Sequence, residues 1–175
     1  MKNMIIGIFV VVLAAAFAQP LIEFSNMLKE KVTLGAAILN SCRAARNNAL
    51  ASVDYYDSGL NMGDMNAYIK EDAFRYFFAE AFSETLGVAI IDSSANPMRF
   101  GGSERWNEIT VRVDLEYDDT SDLGLGFSGR GMSRATVTLE TPYVFRTSLL
   151  QQAATASGEA YNIDETRVFV VQIVN

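Results

Sequence analysis

The sequence contains no histidine. Ser-His and Cys-His nucleophiles, His-ligated metals and an axial-histidine haem are therefore excluded from this chain. A single cysteine, Cys42, permits neither an internal disulfide nor a cysteine-rich zinc site, so the fold rests on burial alone. Charge is also sparse, at 20% of residues against 50% hydrophobic. Over 175 residues that is enough apolar material for the core of one ordinary domain, and it excludes disorder as the main state.

The few charges are unevenly placed. Residues 1–52 hold five basic and two acidic side chains, a net +3, whereas the remainder holds nine basic and nineteen acidic, a net −10. A basic face is what phosphate backbones require, and the acidic part has none, so nucleic acid is excluded as a partner. The chain thus divides into two differently built objects, a stalk over residues 1–52 and a head over residues 53–175.

The stalk begins MKNMIIGIFVVVLAAAFAQP, with no charged side chain from Met4 to Ala18 and with Leu21, Ile22 and Phe24 extending the apolar run. Two origins fit it. As a secretory signal, Lys2 is the charged start, residues 5–13 the apolar centre and Ala16-Phe17-Ala18 the small-residue motif before cleavage after Ala18. As a retained membrane helix, residues 4–24 match the ~20 residues that cross a ~30 Å hydrocarbon layer. Basic residues are too evenly balanced across the segment to orient it.

From Leu21 to Ser52, small or apolar residues recur at Leu21, Phe24, Leu28, Val32, Gly35, Leu39, Cys42, Ala45 and Ala49 in steps of three or four. That spacing predicts an amphipathic helix whose polar face carries Glu23, Asn26, Lys29, Glu30, Arg43 and Arg46, with Glu30 and Lys31 bordering the apolar stripe. Cys42 reads as a packed small residue within it. The only breaker is Pro20, which is expected to kink or locally melt an otherwise continuous helix. At ~1.5 Å per residue such a helix reaches roughly 70 Å, longer than a domain of this size needs, so it is expected to find partners outside its own chain.

An apolar N-terminal helical half, a proline near its end and an amphipathic half leading into a mixed domain resemble the type IV pilin superfamily. More closely, PLIEF followed by the stretch ending NSCRAARNNALAS is similar to the TadE/TadF-type pilin-like proteins of tight-adherence (Flp) pili, in which an apolar segment ends in a short Glu-Phe pattern and continues into a helix rich in Ala and Arg. The match carries over to Glu23, Phe24 and the Ala44-Ala45-Arg46 stretch and is confined to the stalk. Pilin-like precursors usually have a basic leader, a Gly at the processing site and a Glu five residues into the mature helix; counted from Met1, Ile5 stands at that place. The resemblance implies a structural subunit, major or minor, of a cell-surface filament. Its partners would be further copies of itself and other pilus subunits, and it would be held in the membrane before assembly. It makes Ile5, Ile8, Val11, Val12 and Phe17 the residues of the membrane and filament helix, Pro20 the kink, and Glu23 and Phe24 candidates for assembly contacts.

After a polar break at residues 54–66, the head opens with a helix expected from an N-cap at Asp64 to Leu86, closed by Gly87. Phe74, Phe77, Phe78, Ala81 and Phe82 share one face of it and read as core rather than as a cofactor site. Strand candidates are residues 88–91, 108–117, 135–141 continuing to 145, and 167–174, the last containing VFVVQIV as a buried strand. Ile109, Val111, Val113 and Leu115 alternate with Thr110, Arg112, Asp114 and Glu116, the mark of a strand with one wet face, and Ala135, Val137 and Leu139 repeat the pattern. A short helix over residues 148–156 precedes the last strand. The expected class is α+β: a long kinked helix, a second helix and an antiparallel sheet of about four strands.

Chemistry-bearing motifs are weak. Gly124, Gly126 and Gly129 match GxGxxG, but acidic residues precede them and a strand follows, the wrong context for a dinucleotide site; a flexible hairpin loop fits better. Asp118, Asp119 and Asp122, or Asp54, Asp57, Asn61 and Asp64, lack the spacing of a calcium loop. No carboxylate pair is selected by spacing either. The expectation is no enzyme, no metal and no cofactor. The alternatives to a filament subunit are a secreted soluble binding protein released after Ala18, with residues 21–52 packing within the chain, and a membrane-anchored domain that never polymerises.

Overall fold

The structure, a computed structural model, describes residues 2–51, 69–119, 130–158 and 161–171. It is α+β, with helix α1 (Lys2–Ala51), α2 (Glu71–Leu86), strands β1 (Ile90–Asp92), β2 (Met98–Phe100), β3 (Ile109–Asp119) and β4 (Arg130–Pro142), helix α3 (Ser148–Ser157) and strand β5 (Asn162–Val170). The five strands form one antiparallel sheet in the order β1-β2-β3-β4-β5, each pairing with its sequence neighbour.

The alternation of the two long strands sets the register. Val111 lies opposite Leu139, Val113 opposite Val137 and Leu115 opposite Ala135, so their apolar side chains share the covered face. Arg112, Asp114, Glu116 and Glu140 point to the other, solvated face. Strand β2 covers only the first residues of β3, pairing Met98 with Val111 and Phe100 with Ile109. Beyond it the Asn96 side chain stands in for a strand: its amide donates to the Val113 carbonyl at 3.0 Å and accepts from the Val113 N–H at 3.1 Å. This satisfies an edge backbone that would otherwise need water.

Helix α2 covers the sheet through Phe74, Phe78 and Phe82, spaced four apart and fully buried. The Phe78 and Phe82 rings stack at 5.6 Å, and Phe82 meets Phe100 of β2 at 4.9 Å. The helix ends at Gly87, whose φ of 65° is left-handed and whose N–H returns to the Ser83 carbonyl. Against α2 and β5 lies the second half of α1, contributing Leu34, Ala37, Ile38, Cys42, Ala45 and Ala49 to the same buried cluster as the head.

The expected α+β class is borne out, the antiparallel sheet having five strands, the additional one being β2. Details of the elements are corrected. Strand β1 begins at Ile90, two residues beyond the expected start, because Val88 is used in closing α2 and is itself buried. Helix α2 begins at Glu71, and its N-cap position is Lys70; Asp64 lies outside the described residues. The last strand starts at Asn162, and the described part of VFVVQIV is no buried run: Val168 is 55% and Val170 62% exposed on the open face, whereas Val171 is buried and residues 172–174 lie outside the described residues. Strand β5 is an edge strand of a sheet covered on one side, so alternate residues meet water. Helix α1 stays helical through Pro20, without a melted turn.

Candidate functional site

The described side chains of the first half of α1, up to Ile22, are all exposed. Ile5, Ile8, Val11, Val12 and Phe17 are each more than half exposed, and an 18-residue window of mean hydropathy 2.5 within the helix has no buried residue. This stretch is long and apolar enough to cross a membrane, a property that it shares with signal sequences.

Contact with the head starts abruptly at Glu23, only 2% exposed. Its carboxylate accepts the Tyr143 hydroxyl at 2.7 Å on one oxygen and the backbone N–H groups of Arg146 and Thr147, at 2.6 and 2.5 Å, on the other. Thr147 is the N-cap of α3 and provides no side-chain cap of its own. A carboxylate from α1 therefore serves the N-terminus of α3, where unpaired N–H groups and the helix dipole favour negative charge. Burial, and after it the bond to Glu23 and the negative charge of Glu23 and Glu30, raises the Tyr143 phenol well above its ordinary pKa, so it stays a donor.

Two turns on, Glu30 receives Arg146 Nη2 at 2.8 Å. Next to it Lys31 approaches Glu165 of β5 at 3.6 Å, and Arg167 closes on the same carboxylate at 2.5 Å. Gly35 lets this group lie flat on α1, since a Cβ there would come within 2.8 Å of the Arg167 guanidinium. Further along, the contact turns apolar at Leu34, Ile38 and Cys42. Burial pushes the Cys42 thiol up to about 12, which makes it inert at neutral pH.

The amphipathic stripe expected along this helix holds at Gly35, Cys42, Ala45 and Ala49, which are buried, and is corrected before them. Leu21, Phe24, Leu28 and Val32 are 68%, 54%, 46% and 68% exposed, while Glu23 and Glu30, assigned to the wet face, are buried against the head. Of the two assembly candidates, Phe24 is presented outward and Glu23 is used within the chain. At ~100° per residue the exposed stripe lies roughly a third of a turn from the docked one. The second half of α1 also finds its partners inside the chain, where partners outside it were expected. Sequence reasoning missed Tyr143, Arg146 and Glu165 altogether. The available signal was two carboxylates seven apart, in phase with Met27, Leu34 and Ser41.

Between α1 and the head opens a cleft of about 890 Å³, lined by Asn26, Lys29 and Glu30 on the helix and by Glu104, Arg105, Trp106, Tyr143 and Arg146 on the head. The Arg105 guanidinium sits 4.8 Å over the Trp106 ring. Among the described residues no three acidic or sulfur side chains gather as a metal site. Asp54, Asp57, Asn61, Asp64 and Asp122, the glycines at 124, 126 and 129, and the side chains of Asp118 and Asp119 lie outside the described residues.

No family model, curated protein or solved structure matches the chain.

Proposed function

We propose that the protein is a pilin-like structural subunit that polymerises through the apolar half of α1. The observation that carries this is the abrupt change at Glu23: before it the described part of the helix is exposed all round, and after it the helix is fixed to the head by ion pairs and core contacts. A segment apolar on every side exchanges lipid for neighbouring helices at little polar cost. Gly7, against which no atom lies within 4 Å, leaves room for close helix approach. A rigid junction carries the head along with its helix, and a head-to-tail contact that does not close generates an open filament. The opposite charges of stalk and head, +3 and −10, add attraction between copies.

Shearing whole cells and determining the N-terminal sequence and intact mass of the released protein tests this. Sheared material retaining residues 4–18 is expected, because an apolar helix leaves the membrane in a water-stable particle only when buried among others. Material beginning at Gln19 would mark the segment as a cleaved signal and favour a secreted binding protein. Retention in the membrane with no sheared material would favour an anchored domain. Replacing Ile8 and Val11 by Lys is expected to abolish filaments and leave the head folded; filaments that survive the change would overturn the proposal.

A further inference from the structure

We propose that the cleft at the stalk–head junction binds an anionic phosphate ester, carried either by a lipid headgroup or by a soluble molecule. Its size falls within the ~300–1,000 Å³ of ordinary ligand sites. Three cations line it. Lys29 and Arg105 have no carboxylate within ion-pair distance among the described residues, and Arg146, although paired with Glu30, keeps its side chain 60% exposed. Two carboxylates share the lining, Glu30, which is paired with Arg146, and Glu104, while Glu23 lies behind it and is bound by Tyr143 and backbone N–H groups. The lining itself thus holds three cations against two carboxylates, in a protein that is acidic overall. Arginine guanidinium forks match phosphate oxygens geometrically, and Arg105 is held by its stacking on Trp106.

Position along α1 adds a source for the ligand. With the undocked residues 4–22 in the hydrocarbon layer, Asn26 and Lys29 lie ~6 and ~10.5 Å beyond Ile22 at ~1.5 Å per residue. The headgroup layer of each leaflet is about 5–7.5 Å deep, so the mouth of the cleft would open at its outer edge. This placement rests on the membrane-held stage of the function proposed above, whereas the phosphate chemistry does not.

Trp106 is the only tryptophan in the chain and is 5% exposed, so its emission reports on this cleft alone. The full chain is mixed with vesicles of phosphatidylcholine, of phosphatidylcholine containing phosphatidylglycerol, and of phosphatidylcholine containing oleate, which supplies surface charge without an anionic phosphate ester. In detergent it is titrated with glycerol 1-phosphate. Flotation is measured in parallel, as is thermal unfolding of the double variant Lys29→Gln/Arg105→Gln to establish that it folds.

A saturable change in Trp106 emission is expected with phosphatidylglycerol and not with oleate, weakened at least about tenfold in the double variant through loss of two charge-assisted contacts. A response confined to phosphatidylglycerol assigns the site to lipid, and one given by glycerol 1-phosphate alone assigns it to a soluble ester. Equal responses to oleate and phosphatidylglycerol, a folded double variant that behaves as the parent, or silence in both arms would overturn the site. Failure to float with any vesicle overturns the membrane-held stage instead, and the glycerol 1-phosphate arm then decides the site by itself.

Discussion

Residues 4–22 and residues 23–51 belong to one unbroken helix and obey different rules. In the first stretch the described side chains are exposed throughout, so their identity is constrained mainly by the medium that will surround them. In the second, each turn has a specific counterpart: Glu23 with Tyr143 and the α3 N-terminus, Glu30 with Arg146, Gly35 beneath Arg167, and Leu34, Ile38 and Cys42 in the shared core. Helical propensity is common to both, and tertiary contact separates them.

The contrast breaks most visibly under truncation. Phe78→Ala is expected to destabilise the head by about 3–5 kcal/mol, whereas Val11→Ala in detergent is expected to stay within about 0.5 kcal/mol, both followed by thermal unfolding. A comparable loss from Val11→Ala would mean that the first half is docked after all. Next in size is Glu23→Ala, which leaves a buried hydroxyl and two N–H groups without their acceptor and is expected to cost about 1–3 kcal/mol. With that partner gone, the Tyr143 phenol should ionise at a lower pH than in the parent protein, as ultraviolet titration would show.

A smaller effect sharpens the comparison within the docked half. Cys42 titrates at about 12 when folded against an ordinary 9.0, so the folded state holds its proton more tightly. Its contribution to stability is complete below pH 9 and is lost as pH rises toward 12. Between pH 9 and 10, before Tyr117, which burial raises from 10.0 to about 12, adds a slope of its own, stability should fall with pH in the parent and stay flatter in Cys42→Ala. The smallest change is expected for Gly35→Ala. Its helix-propensity gain of about 1 kcal/mol is offset by displacing the flexible end of Arg167, so thermal unfolding should hardly move. A large loss there would show that the Arg167–Glu165 pair is rigidly required.

Strands β3 and β4 could be read from the sequence because their alternation is local: Ile109 to Leu115 and Ala135 to Leu139 each state which face is wet. Strand β2 could not, because three residues between Pro97 and Gly101 carry too little pattern. The face of α1 was misphased for a different reason. Leu21, Phe24, Leu28 and Val32 form a perfectly good apolar stripe, and only the positions of Tyr143 and Arg146, 120 and 116 residues from their partners, decide that the carboxylates beside it face inward. The candidate site was illegible for the same reason, since its walls come from segments far apart in the sequence.

The sheet is a simple meander, every strand bonded to the one made just before it, yet the first helix closes on the last described strand. During synthesis, at about 5–20 residues per second, α1 leaves the ribosome well before β5 exists. Leu34, Ile38 and Cys42 gain part of their cover when α2 follows, and Glu23 gains its donors at Tyr143, Arg146 and Thr147, but the face of α1 that meets β5 stays open until the end. A polypeptide interrupted before β5 would therefore expose Lys31 and Gly35 of the docked face in addition to the apolar half of the helix.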